Sequence, residues 1–142
     1  TLVDAFASAK ALTDRHSPGD AQERLARFID DGHLLRHLRC MRETYLERQA
    51  LTIAALDRAS HGALRLAPSE QGMHLLHEAP DGHRDVVLSA RAHEAGVFLA
   101  PLSAYAIESR RRGWVFGYAG YEPAELRAAA RKLGPLVDQK LQ

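Results

Sequence analysis

A histidine and a serine next to a helix start are the first candidates for binding chemistry in this sequence. His16 and Ser17 precede Pro18 and a predicted helix. Backbone N–H groups at a helix start, together with an imidazole and a hydroxyl, could hold a phosphate group. Serine followed by proline is also typical of a turn between two helices. The pair is therefore a candidate phosphate site, with turn formation as the alternative.

Three consecutive arginines form the second candidate. Arg110, Arg111 and Arg112 precede a predicted strand, and a guanidinium there could bind a ligand carboxylate through two parallel hydrogen bonds. Arginines in a row are also common in solvated loops. Ser103 and Tyr105 could line the same ligand cavity, or could simply belong to a packed loop.

Other reactive side chains give weaker signals. His33 and His37 are four residues apart, a spacing that could place two metal ligands on one helix face, but no third ligand accompanies them. Cys40 is the only cysteine and has no evident activating partner, so we predict neither an internal disulfide nor a nucleophilic role for it. We therefore expect no metal site and no catalytic residue.

Composition narrows the class of protein. The chain has 142 residues, 46% hydrophobic and 26% charged, with a formal net charge of +1, which is typical of one globular domain. This charge gives no general attraction to nucleic acid. No apolar run approaches the ~20 residues that span a bilayer, and no leader is visible, so we expect a cytoplasmic protein without membrane contact. The start at Thr1, inside an apparent helix, suggests that an upstream part is missing.

Hydrophobic spacing predicts the elements that position these residues. The sequence indicates helices, short strands and a final helix, with Asp20 and Glu23 forming a capping box and Gly134-Pro135 kinking or interrupting the last helix. The predicted helices cover 2–14, 20–31, 33–59, 85–95 and a stretch from Pro123 onward, and the predicted strands cover 63–67, 73–77, 97–99 and 114–118.

Four segments resemble one known family in the same order. Residues Phe28–Tyr45 read FIDDGHLLRHLRCMRETY and resemble the FI-x-x-GH-x-x-RHLRRMR-x-x-Y stretch of MocR-type regulators in the GntR superfamily. The other three segments are Asp14–Gln22 (D-x-x-SP-x-x-Q), Gly96–Tyr105 (GV-x-v-aPLS-x-Y) and Gly113–Gly120 (GLLLGYAG). Together they cover essentially the whole chain.

The resemblance implies an α/β fold: the small C-terminal domain of a fold type I aminotransferase, with a small, mostly antiparallel sheet covered by helices and preceded by a long connecting helix. It divides the chain into 1–32, the tail of the large domain, and 33–142, the long helix and small domain. In the parent protein it implies pyridoxal 5′-phosphate on a lysine, a homodimer, and DNA binding through a winged-helix domain that this chain lacks. The effector would be a small amino compound or the cofactor, and His16 and Ser17 would approach the neighbouring subunit's phosphate.

The sequence departs from the aminotransferase pattern at two points that affect activity. None of Lys10, Lys132 and Lys140 lies in a motif matching the Schiff-base lysine, so we expect the chain alone to bind no cofactor and to be inactive. Val115 occupies the position where aminotransferases usually carry a carboxylate-binding arginine. The sequence therefore favours part of a regulator's effector domain. The alternatives are part of a free-standing aminotransferase and, less supported, a stand-alone interaction module.

Overall fold

The computed structural model describes residues 1–13, 15, 18–80, 83–107 and 111–138. The chain divides into two compact units, Thr1–Met41 and Arg42–Gln142. In chain order the elements are α1 (Leu2–Thr13), α2 (Gly19–Asp30), α3 (His33–Ala59), β1 (His74–Glu78), α4 (Asp85–Glu94), β2 (Ala100–Pro101), a 3-10 helix (Leu102–Tyr105), β3 (Gly113–Gly117) and α5 (Pro123–Asp138).

The first unit holds α1, α2 and the beginning of α3, and none of its helical residues is buried. The predicted capping box at α2 is wrong. The helix begins one residue earlier than expected, with Pro18 at its N-cap and no side-chain cap bond. Asp20 therefore lies inside the first turn, where its negative charge interacts favourably with the positive end of the helix dipole. Glu23 forms an ion pair with Arg27 at 2.5 Å.

The second unit is built around a three-stranded antiparallel sheet in the order β1-β3-β2. Side chains alternate across a strand, so each strand has a core face and an open face. Leu75 pairs with Phe116 on the core face, and both are buried. Leu76 pairs with Val115 on the open face, where Leu76 is exposed and Val115 half-buried. The predicted small antiparallel sheet with covering helices is confirmed.

The core lies between the sheet, α4, α5 and the second half of α3. Trp114 stacks on His77 with ring centroids 5.8 Å apart, and its indole N–H donates to the carbonyl of Asp85 at 2.9 Å. The buried apolar side chains that form the core are Leu56, Leu64, Leu66, Leu75, Leu88, Ala92, Leu99, Trp114, Phe116, Tyr118, Leu126, Ala130 and Leu133.

Two predicted strands are absent from the described residues. Residues 63–67 alternate between exposed and buried, with Leu64 and Leu66 in the core, but no neighbouring strand pairs with them. Residues 97–99 also form no strand, because the backbone N–H of Val97 closes the end of α4 by donating to Ala92 at 2.8 Å. This bond, with Gly96 at φ +74°, is a Schellman ending of a helix.

The last helix is continuous through its Gly-Pro pair. α5 continues through Gly134-Pro135 to Asp138, so the predicted interruption is wrong. Pro135 removes only the hydrogen bond that residue 135 would donate one turn back, and this loss falls near the helix end. Gly134 lies directly against Ala59, where a methyl group would overlap the Ala59 carbonyl oxygen. The close approach of α5 to the end of α3 therefore requires glycine here.

Candidate functional site

The open face of the sheet bears a cavity of about 330 Å³, which we call the sheet-face cavity. The β3 positions Val115 and Gly117 form its floor. Gly117 adds no side chain, and His74 lies beside it on β1. Phe98, Tyr105 and Tyr121 contribute aromatic side chains, and Met73 completes the rim. The lining is thus mainly apolar and aromatic, with a few polar atoms, as in many small-molecule sites.

A buried carboxylate positions the loop that carries Tyr105. Asp85, 1% exposed, accepts hydrogen bonds from the Ser103 N–H and hydroxyl, both at 2.8 Å, and from the Gly113 N–H at 3.3 Å. Burial alone would raise the pKa of this carboxyl, but the bonds from Ser103, Gly113 and Val86 together outweigh burial and lower its pKa. Asp85 is therefore held ionised between the start of α4, the 3-10 helix and β3.

The opposite wall of the cavity is held by α3. Arg48 donates to the Ala119 carbonyl at 2.5 Å and to the Glu122 carboxylate at 2.7 Å. These two bonds fix the connection between β3 and α5, which lines the sheet-face cavity.

A buried amide makes a second contact between α3 and this wall. Gln49 donates to the Tyr118 hydroxyl at 3.0 Å and to the Ser69 carbonyl at 2.9 Å. The Tyr118 hydroxyl in turn donates to the Gly72 carbonyl at 3.1 Å. Arg48 and Gln49 thus attach this wall to α3 at two points, whereas the loop that carries Tyr105 is attached to α4 through Asp85.

Sequence reasoning did not identify Asp85, Arg48 or Gln49. Gln49 gave a usable signal, because it continues the apolar stripe of Tyr45, Thr52 and Leu56 on α3 and a buried amide there must find partners. Arg48 gave no usable signal, because an arginine at its position on α3 is equally typical of the solvated face of a helix. Asp85 could be read only as a residue of the first helical turn.

The candidate ligand residues fall in different places. Tyr105 lines the sheet-face cavity, whereas Ser103 binds Asp85. Arg111 forms an ion pair with Glu78; its hydrogen bond is the main cause that lowers the pKa of Glu78 and, reciprocally, raises the pKa of Arg111. Arg112 is half-buried and contacts the Arg111 carbonyl at 3.4 Å. His16, Ser17 and Arg110 lie outside the described residues. Ligand binding by these seven residues stays a prediction.

The described lining of the sheet-face cavity does not form a complete pyridoxal phosphate site. Such a site needs a lysine amine for the cofactor aldehyde, and this lining contains neither lysine nor arginine. Across the described ranges, no three His, Cys, Asp or Glu side chains come close enough to hold a metal ion. In the same ranges, no helix combines the length and apolar composition needed to cross a bilayer.

The sequence of the chain is similar to those of known transcription regulators. No protein-family model matches the sequence. The chain is 32% identical over 133 residues to the probable rhizopine catabolism regulatory protein MocR of Rhizobium meliloti, covering 93% of this chain and 27% of that protein. The chain is a homologue of MocR-type regulators. The HTH-type transcriptional regulator YdeL of Bacillus subtilis is also similar, at 27% identity over 80% of this chain and 25% of its own length.

Solved structures identify the fold. Kynurenine aminotransferase of Pyrococcus horikoshii, solved with PMP, superposes with a TM-score of 0.82 at 21% identity, covering 94% of this chain and 33% of that one. The chain thus has the fold of part of a fold type I aminotransferase, a fold family that uses pyridoxal phosphate. It spans about a quarter of the length of the MocR and YdeL regulators that it matches. Both the family resemblance and the assignment to part of an aminotransferase-like regulator domain are confirmed.

Proposed function

We propose that the chain provides the wall that closes over a small ligand in the effector domain of a transcription regulator, and that it senses this ligand without turning it over. The observation that carries the proposal is Val115 on the floor of the sheet-face cavity. A valine cannot bind the carboxylate of an amino-acid substrate, as an arginine at this position would. The MocR-type relatives support regulation in place of catalysis.

The lining of the cavity supports a particular kind of effector. The described lining presents the phenols Tyr105 and Tyr121, the imidazole of His74 and the apolar Met73, without a lysine or arginine. This surface suits the neutral or hydroxylated body of a small amino compound better than a carboxylate. In the parent protein, pyridoxal 5′-phosphate would be bound covalently by a lysine outside this chain. Arg110, Arg111 and Arg112 remain proposed ligand contacts.

The partners follow from the same proposal. The parent would be a cytoplasmic homodimer that binds DNA through a winged-helix domain outside this chain, and His16 and Ser17 would approach the neighbouring subunit's phosphate. In it, residues 1–32 would belong to the large domain and 33–142 to the connecting helix and small domain. With a formal net charge of +1, this chain alone would retain no operator DNA at physiological salt.

A chimera tests the function. The corresponding quarter of the Rhizobium meliloti regulator is replaced by this chain, and small amines and amino acids are titrated while the visible cofactor spectrum is recorded. We expect saturable binding of an amine without release of an oxo acid. Tyr105→Ala should weaken this binding by about tenfold, because it removes an aromatic contact. Arg127→Ala, on the exposed surface of α5, should leave it unchanged.

The controls separate sensing from catalysis. This chain by itself, mixed with pyridoxal phosphate, should give no saturable, stoichiometric absorption band at micromolar cofactor. Steady production of an oxo acid by the chimera would favour the alternative, a free-standing aminotransferase. Equal amine affinity in the Tyr105→Ala and Arg127→Ala chimeras would contradict the assignment of the sheet-face cavity.

A further inference from the structure

A second cavity lies between α5 and the extended segment 96–99, and we call it the α5 cavity. Its volume is about 360 Å³, within the range of about 300–1,000 Å³ that small-molecule sites occupy. Leu56 of α3 and Phe116 of β3 form its base. Further apolar contacts come from Val97, Leu99, Leu126 and Leu133. Phe98, Gly117 and Tyr121 line both this cavity and the sheet-face cavity, so the two cavities adjoin each other.

The cavity exists because small residues occur where larger ones would fill it. α5 contributes Ala128, Ala129 and Ala130 to the lining, and Gly96 faces them from the end of α4. Gly96 is also required at φ +74° by the helix ending, so no side chain can easily fill that corner. The leucines that line the cavity belong to the buried core, and an apolar body placed there would gain dispersion contacts with them.

The two ends of the α5 cavity carry opposite charges, Lys132 at one end and Glu125 at the other. The Lys132 amine lies against Gly96, 3.5 Å from the position a Cβ would take there. Within the described residues, no hydrogen bond or ion pair involves Lys132. Glu125 lies seven residues earlier, about 10 Å away along the helix axis, and its carboxylate caps α5 by accepting the Glu122 N–H at 2.8 Å. One end of the α5 cavity thus presents a cation without a partner, while the acidic group at the other end is already bonded.

We propose that the α5 cavity binds a small organic anion with an apolar body, such as an aryl or alkyl carboxylate. The carboxylate would pair with Lys132 beside Gly96, and the body would pack among Leu56, Leu126 and Leu133. Orientation follows from the charges, because the reverse placement would bring the carboxylate toward Glu125. The α5 cavity adjoins the sheet-face cavity, but the proposed contacts of the anion with Lys132, Leu126 and Leu133 lie outside the lining of the sheet-face cavity. The proposal does not depend on the regulator function proposed for the chain.

A pair of matched ligands tests the proposal. The full chain, labelled with ¹⁵N, is titrated with 3-phenylpropionate and with its uncharged amide, and backbone NMR signals are followed. We expect saturable shifts concentrated in residues 96–99 and 126–133. The dissociation constant for the acid should be on the order of 1 mM, the affinity expected of a ligand of about eleven heavy atoms. The amide should bind at least about fivefold more weakly, because it lacks the charge-assisted bond.

Three variants make the result specific. Lys132→Gln should bring the acid to the affinity of the amide, whereas Arg131→Gln, which removes the neighbouring exposed cation, should preserve the preference for the acid. Ala129→Phe should abolish binding of both ligands by filling the cavity, with Trp114 fluorescence reporting whether the variant is folded. Equal affinities of acid and amide for the unmodified chain would overturn the proposal. So would equal effects of the two cation variants, or shifts dispersed over the surface.

Discussion

At the scale of single residues, Asp85 joins three segments that are distant in sequence. Its carboxylate accepts hydrogen bonds from Ser103 and Gly113, and its backbone carbonyl accepts one from Trp114. Hydrogen bonds to a buried charged group are stronger than those between neutral groups, and each partner left unpaired carries a desolvation cost. Asp85 therefore fixes the loop that carries Tyr105 to the rim of the sheet-face cavity.

We expect Asp85→Asn to lower the free energy of unfolding by about 2–4 kcal/mol at pH 7, because an amide presents N–H donors where the carboxylate accepts. Urea unfolding followed by the fluorescence of Trp114, the only tryptophan, measures this loss. Asp57→Asn, an exposed aspartate on α3, is the matched control and should change stability by less than about 0.5 kcal/mol.

The lowered pKa of Asp85 determines how the stability difference between the unmodified chain and Asp85→Asn depends on pH. Because the folded state lowers the pKa of Asp85, its ionised form contributes stability that is fully present above the ordinary aspartate pKa of about 4. That contribution is lost as the pH falls through the lower folded value. The stability difference between the unmodified chain and Asp85→Asn should therefore be constant from pH 7 to about pH 5 and narrow below pH 4. A difference that widens on acidification would contradict this assignment.

At the scale of elements, the contact between α5 and the end of α3 depends on Gly134. A β-carbon at this position would overlap the carbonyl oxygen of Ala59, which belongs to the backbone and cannot rotate away. We expect Gly134→Ala to destabilise the chain by about 1–3 kcal/mol through this overpacking, even though alanine favours a helix by about 1 kcal/mol. The midpoint of thermal or urea unfolding measures the change.

Gly120→Ala provides the control for the effect of a glycine replacement on the unfolded chain. Gly120 lies in the connection before α5, and a methyl group there would meet no atom within 4 Å. Its replacement should be neutral or slightly stabilising, because alanine restricts the unfolded chain. If Gly134→Ala were as stable as the unmodified chain, the close packing of α5 on Ala59 would be wrong.

The elements also show how far the sequence determines the fold. The helix over residues 33–59 and the strands around Leu75 and Phe116 rest on local signals, and both predictions are confirmed. Residues 63–67 alternate in the same way, yet strand formation also needs a partner with free backbone groups, which local sequence cannot supply. The backbone N–H of Val97 is already bonded to the carbonyl of Ala92 at the end of α4, so it does not pair with a strand. The hydrogen bonds of Arg48 and Asp85 span 71 and 18 or more residues, so spacing alone could not reveal the walls of the sheet-face cavity.

At the scale of the whole molecule, the chain corresponds to about a quarter of the regulators it matches. Its two units differ in how much apolar surface they cover. The second unit has a buried core. In the first unit, Phe6 is 74% exposed and Leu12 88% exposed, and Leu25, Phe28 and Leu35 are exposed as well. At about 25 cal/mol per Å² of apolar surface removed from water, covering several such side chains is strongly favourable.

We therefore expect the chain to self-associate in solution, with α1 and α2 exchanged between copies, because a second copy offers the same apolar faces. Sedimentation velocity over a tenfold concentration range should show a shift from smaller to larger species. Phe6→Asp should move this shift to higher concentration by placing a charge on the apolar face of α1, whereas Ser8→Asp, a polar position on the same helix, should have little effect. A monomer at every concentration, with the first thirty residues protected from protease, would mean instead that these helices find cover within their own chain. That outcome would leave α1 and α2 without any need for a partner.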